Sequence, residues 1–114
     1  MTTIKTIEDC LLHADDLRAK YRACLLRLGK SPDYHIYNLT IEFLNGHKRH
    51  KEVTFLLKVR RFYDALPEKD KPIFVREVLE RNRHYPFWFY DADYKKGEFE
   101  RRKNDLLYRV VGAL

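Results

Sequence analysis

The chain has 114 residues, 45% of them hydrophobic and 35% charged, with four Gly and four Pro. That length suits one domain with its own hydrophobic core, and that composition excludes a largely disordered chain. No apolar run approaches the roughly eighteen residues a membrane span requires, which excludes an integral membrane helix.

The net charge is +6, and its placement says more than its size. Residues 1–46 carry six Lys/Arg against six Asp/Glu, whereas residues 47–114 carry seventeen against eleven. A polyanionic partner is expected for the C-terminal part, because phosphates reward clustered cations through counterion release. A solvated surface of the same charge is the plainer alternative. The start, Met1-Thr2-Thr3-Ile4-Lys5, lacks the basic region and apolar block of a secretory signal, so a soluble cytoplasmic protein is expected. Reduced thiols at Cys10 and Cys24 fit that compartment.

Thr6 and Asp9 resemble a capping box with Asp in place of Glu, and Ile7, Leu11, Ala14, Leu17, Tyr21, Leu25 and Leu28 follow at three- and four-residue steps. The pattern predicts a helix closed by Gly29. Cys10 and Cys24 flank its stripe about 21 Å apart along the axis, too far to bridge. The stripe is expected to pack in the core; a coiled-coil role is the alternative. Ser31-Pro32-Asp33 is a helix start or a loop. Residues 34–46 fit both a strand and a helix template, and a helical or irregular excursion ending at Gly46 is expected.

Val53, Leu56, Val59, Phe62, Tyr63 and Leu66 predict a helix over 52–66, ended by Pro67, with Lys58, Arg60 and Arg61 mostly off its stripe. Asp70 is expected to cap the next helix, with Pro72 in its first turn and Ile73, Phe74, Val75, Val78 and Leu79 as its apolar face. That helix should fade by Asn82. A dense aromatic stretch follows, Tyr85-Pro86-Phe87-Trp88-Phe89-Tyr90, read as a short helix from Pro86, then a turn at Asp91-Ala92-Asp93. The last helix is expected over 96–111, with Phe99, Leu106, Leu107, Val110 and Val111 inward. A short aromatic helix, a polar turn and a basic helix in that order suit a helix-turn-helix.

Leu66-Pro67, the helix after it, and the stretch from Tyr94 through Gly97, Phe99, Arg101, Arg102 and Lys103 to Leu106-Leu107 resemble the C-terminal half of phage late-operon activators of the ArpU type. Those in turn are similar to region 4 of bacterial sigma factors. The resemblance covers roughly residues 52–112 and implies a transcription regulator whose terminal helix enters a DNA groove, with RNA polymerase as a further partner. Where that family has Ser or Thr near the start of its recognition helix, this chain has Gly97, Glu98 and Glu100. Carboxylates repel phosphate, although Glu can accept from a cytosine amino group.

The expected architecture is therefore a single all-α domain of about five helices, with an N-terminal helix and variable segment over 1–46 and a helix-turn-helix region over 52–112. Candidate DNA contacts are Lys95, Lys96, Glu98, Arg101 and Arg102, then Lys103, with Arg81, Arg83 and His84 as phosphate clamps. The alternative for the last helix is a solvated face with Glu98–Arg102 and Glu100–Lys103 pairs. Residues 47–51, His-Lys-Arg-His-Lys, form a second basic cluster by density. Trp88 and its neighbours serve a core or stack on bases. Cys10 with His13, and His47 with His50, have ligand-like spacing, but no metal or cofactor is expected. Neither a nucleophile turn nor a nucleotide-holding glycine loop occurs, and an enzyme is not expected. A small helical protein-interaction module, using the aromatic stretch and the first helix, is the rival to duplex DNA binding.

Overall fold

Thr6 sets the start of α1 (Ile7–Arg27), where its hydroxyl accepts from the Asp9 amide at 3.2 Å and the Asp9 carboxylate accepts from the Thr6 amide at 3.3 Å. The computed structural model describes residues 6–31, 34–46, 48, 50–80, 94, 95 and 97–114. At the other end of α1, Gly29 takes φ 77°, the Gly29 amide donates to the Leu26 carbonyl, and the Lys30 amide reaches back to the Leu25 carbonyl at 2.9 Å. This is a Schellman stop, and the left-handed glycine is what permits it. Cys10, Ala14, Leu17, Tyr21, Cys24 and Leu25 form the buried face, and neither thiol is in a disulfide.

The ambiguous stretch is helical. A 3₁₀ turn (Ile36–Asn38) leads to α2 (Ile41–Asn45), which Thr40 caps by accepting from the Phe43 amide at 3.1 Å. The Ser/Thr-type cap decides between the two templates that alternation left open. Ile36, Leu39 and Leu44 are fully or almost fully buried, and the Arg60 guanidinium donates to the Ile36 carbonyl at 2.7 Å. The excursion is thereby fastened to α3 (His50–Asp64), whose inward residues are Val53, Phe55, Leu56, Val59 and Tyr63.

Pro67 lies beyond the end of α3, and α4 begins at Lys71–Ile73 before widening into a π-helical stretch, Phe74–Glu80. Ile73, Phe74, Val75, Val78 and Leu79 are all buried, as their spacing predicts. Asp70 holds the N-cap position, but its side chain makes no capping bond. Its carboxylate instead accepts from Arg102 at 2.9 Å, because a guanidinium is a stronger partner than a backbone amide. Phe74 is fully buried against the rings of Phe62 and Tyr63, with centroids 5.2 and 6.4 Å away.

The last helix, α5 (Glu98–Ala113), starts two residues later than the sequence suggests, since Gly97 takes φ 81° and breaks the helical path. Leu106, Leu107 and Val110 are buried, while Phe99 and Val111 pack at the margin of the core. α1 lies at the centre, packed against α5, α3 and the π-helical part of α4, while α2 packs on α3. Among the described residues, α1 to α5 all contribute to one buried core, and every regular element is helical. The chain is all-α, and none of its described helices is long and apolar enough to cross a membrane. The expected helix at 86–90, the turn at 91–93 and Trp88 lie outside the described residues, as do Pro32 and Asp33.

Candidate nucleic-acid interface

The start of α5 is fastened to the turn before α4. Glu98 accepts from the Lys95 amide at 3.1 Å and from the Lys69 ammonium at 3.3 Å, and its other oxygen lies 3.5 Å from Arg102 Nε. These partners, the Lys95 amide foremost, hold the Glu98 carboxyl below its ordinary range. Arg102 also donates to Asp70, a carboxylate whose side chain is only 10% exposed, and that bond raises the already high affinity of the guanidinium for its proton. The Tyr94 hydroxyl donates to the Lys69 carbonyl, and the ring packs edge-on to Phe99.

Glu98 and Arg102, expected among the base or phosphate contacts, are each engaged by partners within the protein. Both are turned toward the protein, because a nearly buried Asp70 needs a cationic partner and Arg102 is the one that reaches it. Lys103 lies over the Phe99 ring at 5.8 Å and faces Glu100 at 3.9 Å. The Glu98–Arg102 and Glu100–Lys103 pairs read from helical spacing are therefore present. Lys95 and Arg101 remain on the exposed surface, and Arg101 makes no ion pair among the described residues. Lys96, Arg81, Arg83 and His84 lie outside the described residues.

A second surface gathers more cations. The C-terminal half of α1 and the N-terminal half of α3 enclose an open groove of about 760 Å³, lined by Lys20 and Arg27 from one wall and His50, Lys51 and Lys58 from the other. Glu52 is the acid in the lining, and Arg27 pairs with it at 3.4 Å while staying 59% exposed. Phe55 forms an apolar floor, with the Lys20 ammonium 4.4 Å from its ring centroid. Cys24 also lines the groove, but burial pushes its thiol up and away from the reactive thiolate. The groove offers ammonium, guanidinium and imidazole donors over a small hydrophobic base. That combination suits phosphate and sugar contacts.

His50 and Lys51 belong to the basic cluster read at 47–51; Lys48 is exposed beside them, and His47 and Arg49 lie outside the described residues. Lys20 and Arg27 were missed. Their signal in the sequence is position: both sit beside the apolar stripe of α1, on the flank next to Cys24. A smaller depression of about 350 Å³ between α3 and α4 is of mixed charge, with Glu68 holding Lys71 at 2.9 Å. Among the described residues no three metal-ligating side chains converge, and Cys10 is fully enclosed in the core. No protein-family model, curated protein or solved structure matches the chain.

Proposed function

We propose that this protein is a DNA-binding transcription regulator that holds duplex DNA first through its phosphates. The observation that carries the reading is the α1–α3 groove, where Lys20, Arg27, Lys51 and Lys58 line one concave surface with a single paired carboxylate among them. Choice of duplex DNA rests on the helix-turn-helix order and the sigma-like resemblance of residues 52–112. Lys95 and Arg101, exposed at the start of α5, supply contacts of the kind that resemblance implies. Phosphate contacts position a protein without reading sequence, so the groove accounts for affinity and register and α5 for any base discrimination.

The test is a salt titration of binding to random duplex DNA. Counterion release gives log K against log[salt] a slope of roughly −0.9 per neutralised phosphate, so engagement of Lys20, Arg27, Lys51 and Lys58 predicts roughly −3 to −4. Lys51→Ala with Lys58→Ala should weaken binding on every sequence alike and flatten the slope by about 2. Binding that ignores salt and survives both substitutions would reject the reading in favour of a protein-interaction module with a mostly apolar interface.

A further inference from the structure

Two large apolar side chains on α1 point away from the core: Leu12 is 63% exposed and Leu26 is 58% exposed. Fourteen residues separate them, which places them about 21 Å apart along the axis and within about 40° around it. Ala19 sits midway on the same line, exposed, with half-buried Ala23 beside it. The helix thus carries a second apolar face opposite its buried one, with a small residue at its midpoint.

The charges on either side of this face are sorted by position along the helix. On one flank Asp16 precedes Lys20, and on the other Asp15 precedes Arg22. Asp16, Lys20 and Arg22 are exposed, whereas Asp15 already pairs with Arg18. Acids occupy the N-terminal half and bases the C-terminal half on both flanks. A parallel copy of this helix would set like charge against like. An antiparallel copy crossing at Ala19 sets Asp16 against Lys20 of the second copy and Asp15 against Arg22 of the second copy, with each Leu12 on a Leu26.

We infer that the outer face of α1 is a self-association surface, on which a second copy of this chain docks antiparallel about Ala19. The arrangement is isologous, so each favourable contact occurs twice. Alanine at the crossing lets the backbones approach, and the two leucine pairs exclude water at either end. Two helices meeting over this length bury an area at the small end of the range for specific complexes, so the dimer is reversible.

Sedimentation velocity on the full chain, without nucleic acid, tests this independently of DNA binding. Wild-type protein should show a concentration-dependent dimer, and Asp16→Lys or Lys20→Asp should each weaken it about ten-fold or more by placing like charges opposite. An equimolar mixture of those two variants should restore dimers, because each chain then supplies what the other lacks. Chains carrying Leu12→Cys and Leu26→Cys should cross-link to each other in preference to themselves. Leu12→Glu should yield a folded monomer by circular dichroism and sedimentation; if that variant unfolds, the charge-swap mixture decides. A monomer at all concentrations, a dimer untouched by these changes, or cross-linking of Leu12→Cys chains to themselves would overturn the inference.

Discussion

Arg101 and Arg102 are neighbours on α5, yet the structure gives them opposite surroundings, and replacing each with alanine separates their effects on stability. Arg102 bonds Asp70 at 2.9 Å and approaches Glu98 at 3.5 Å, with side-chain exposures of 27%, 10% and 13% for the three groups. Arg102→Ala leaves the Asp70 carboxylate without its partner in a site that admits little water. A hydrogen bond to a charged group contributes about 1.5 to 3 kcal/mol, and partial exposure of the guanidinium screens the pair, so the loss is about 1 to 3 kcal/mol. For a chain of this size each kcal/mol lowers Tm by about 3 to 6 °C. Arg101→Ala removes an exposed side chain and should change stability by less than about 0.5 kcal/mol.

Urea and thermal unfolding of both variants, with Asp70→Ala and the double variant completing a cycle, give the coupling energy directly. Arg102→Lys should recover only part of the loss, since an ammonium cannot bridge two carboxylates as the planar fork does. Equal stability of Arg101→Ala and Arg102→Ala, or a coupling energy near zero, would refute the claim that Arg102 holds α5 to the turn before α4. The same contrast matters for DNA: a binding loss in Arg101→Ala reports on contact, whereas one in Arg102→Ala must first be corrected for unfolding.

Three further outcomes follow from the packing and the charges. Glu98 has its carboxyl lowered in the folded state, by the Lys95 amide first and then by Lys69 and Arg102, from an ordinary value of 4.5. Its contribution is therefore present above that value and lost as pH falls below it, so acid titration of stability should be steeper for wild type than for Glu98→Gln. Phe74→Ala should cost about 3 to 5 kcal/mol in chemical denaturation, because the ring is fully buried between α3 and α4. Gly97→Ala should cost about 1 kcal/mol in the same assay, since a Cβ there meets nothing within 4 Å and only the φ of 81° resists it.

Local signals carried much of the fold. Thr6 with Asp9, the stripe of α1, Gly29, and the run from Ile73 to Leu79 each act within a few residues, where capping and periodicity are decided. The helix at Ile41–Asn45 was ambiguous because alternation and helical spacing coincide there, and the Thr40 cap resolves it. The site was far less legible. Arg102 and Asp70 are 32 positions apart, and nothing in either segment says that they meet. On spacing alone Arg102 is one more basic residue in an exposed run. The α1–α3 groove was hidden for the same reason. Lys20 and Arg27 look like solvated charges on α1, and Lys51 and Lys58 like solvated charges on α3, until the helices are set side by side. Periodicity identifies which face of a helix is dry; which neighbour stands next to its wet flank depends on the assembled core.

The groove occupies one lateral flank of α1, at right angles to the face bearing Leu12 and Leu26. A dyad passing beside Ala19 and perpendicular to the helix axis reverses the helix direction but leaves that flank on the same side. Paired copies would thus turn both cationic channels toward a common plane instead of back to back. A polyanion lying across that plane would meet the same cationic chemistry twice in opposite senses, so two chains would share one length of backbone instead of competing for it.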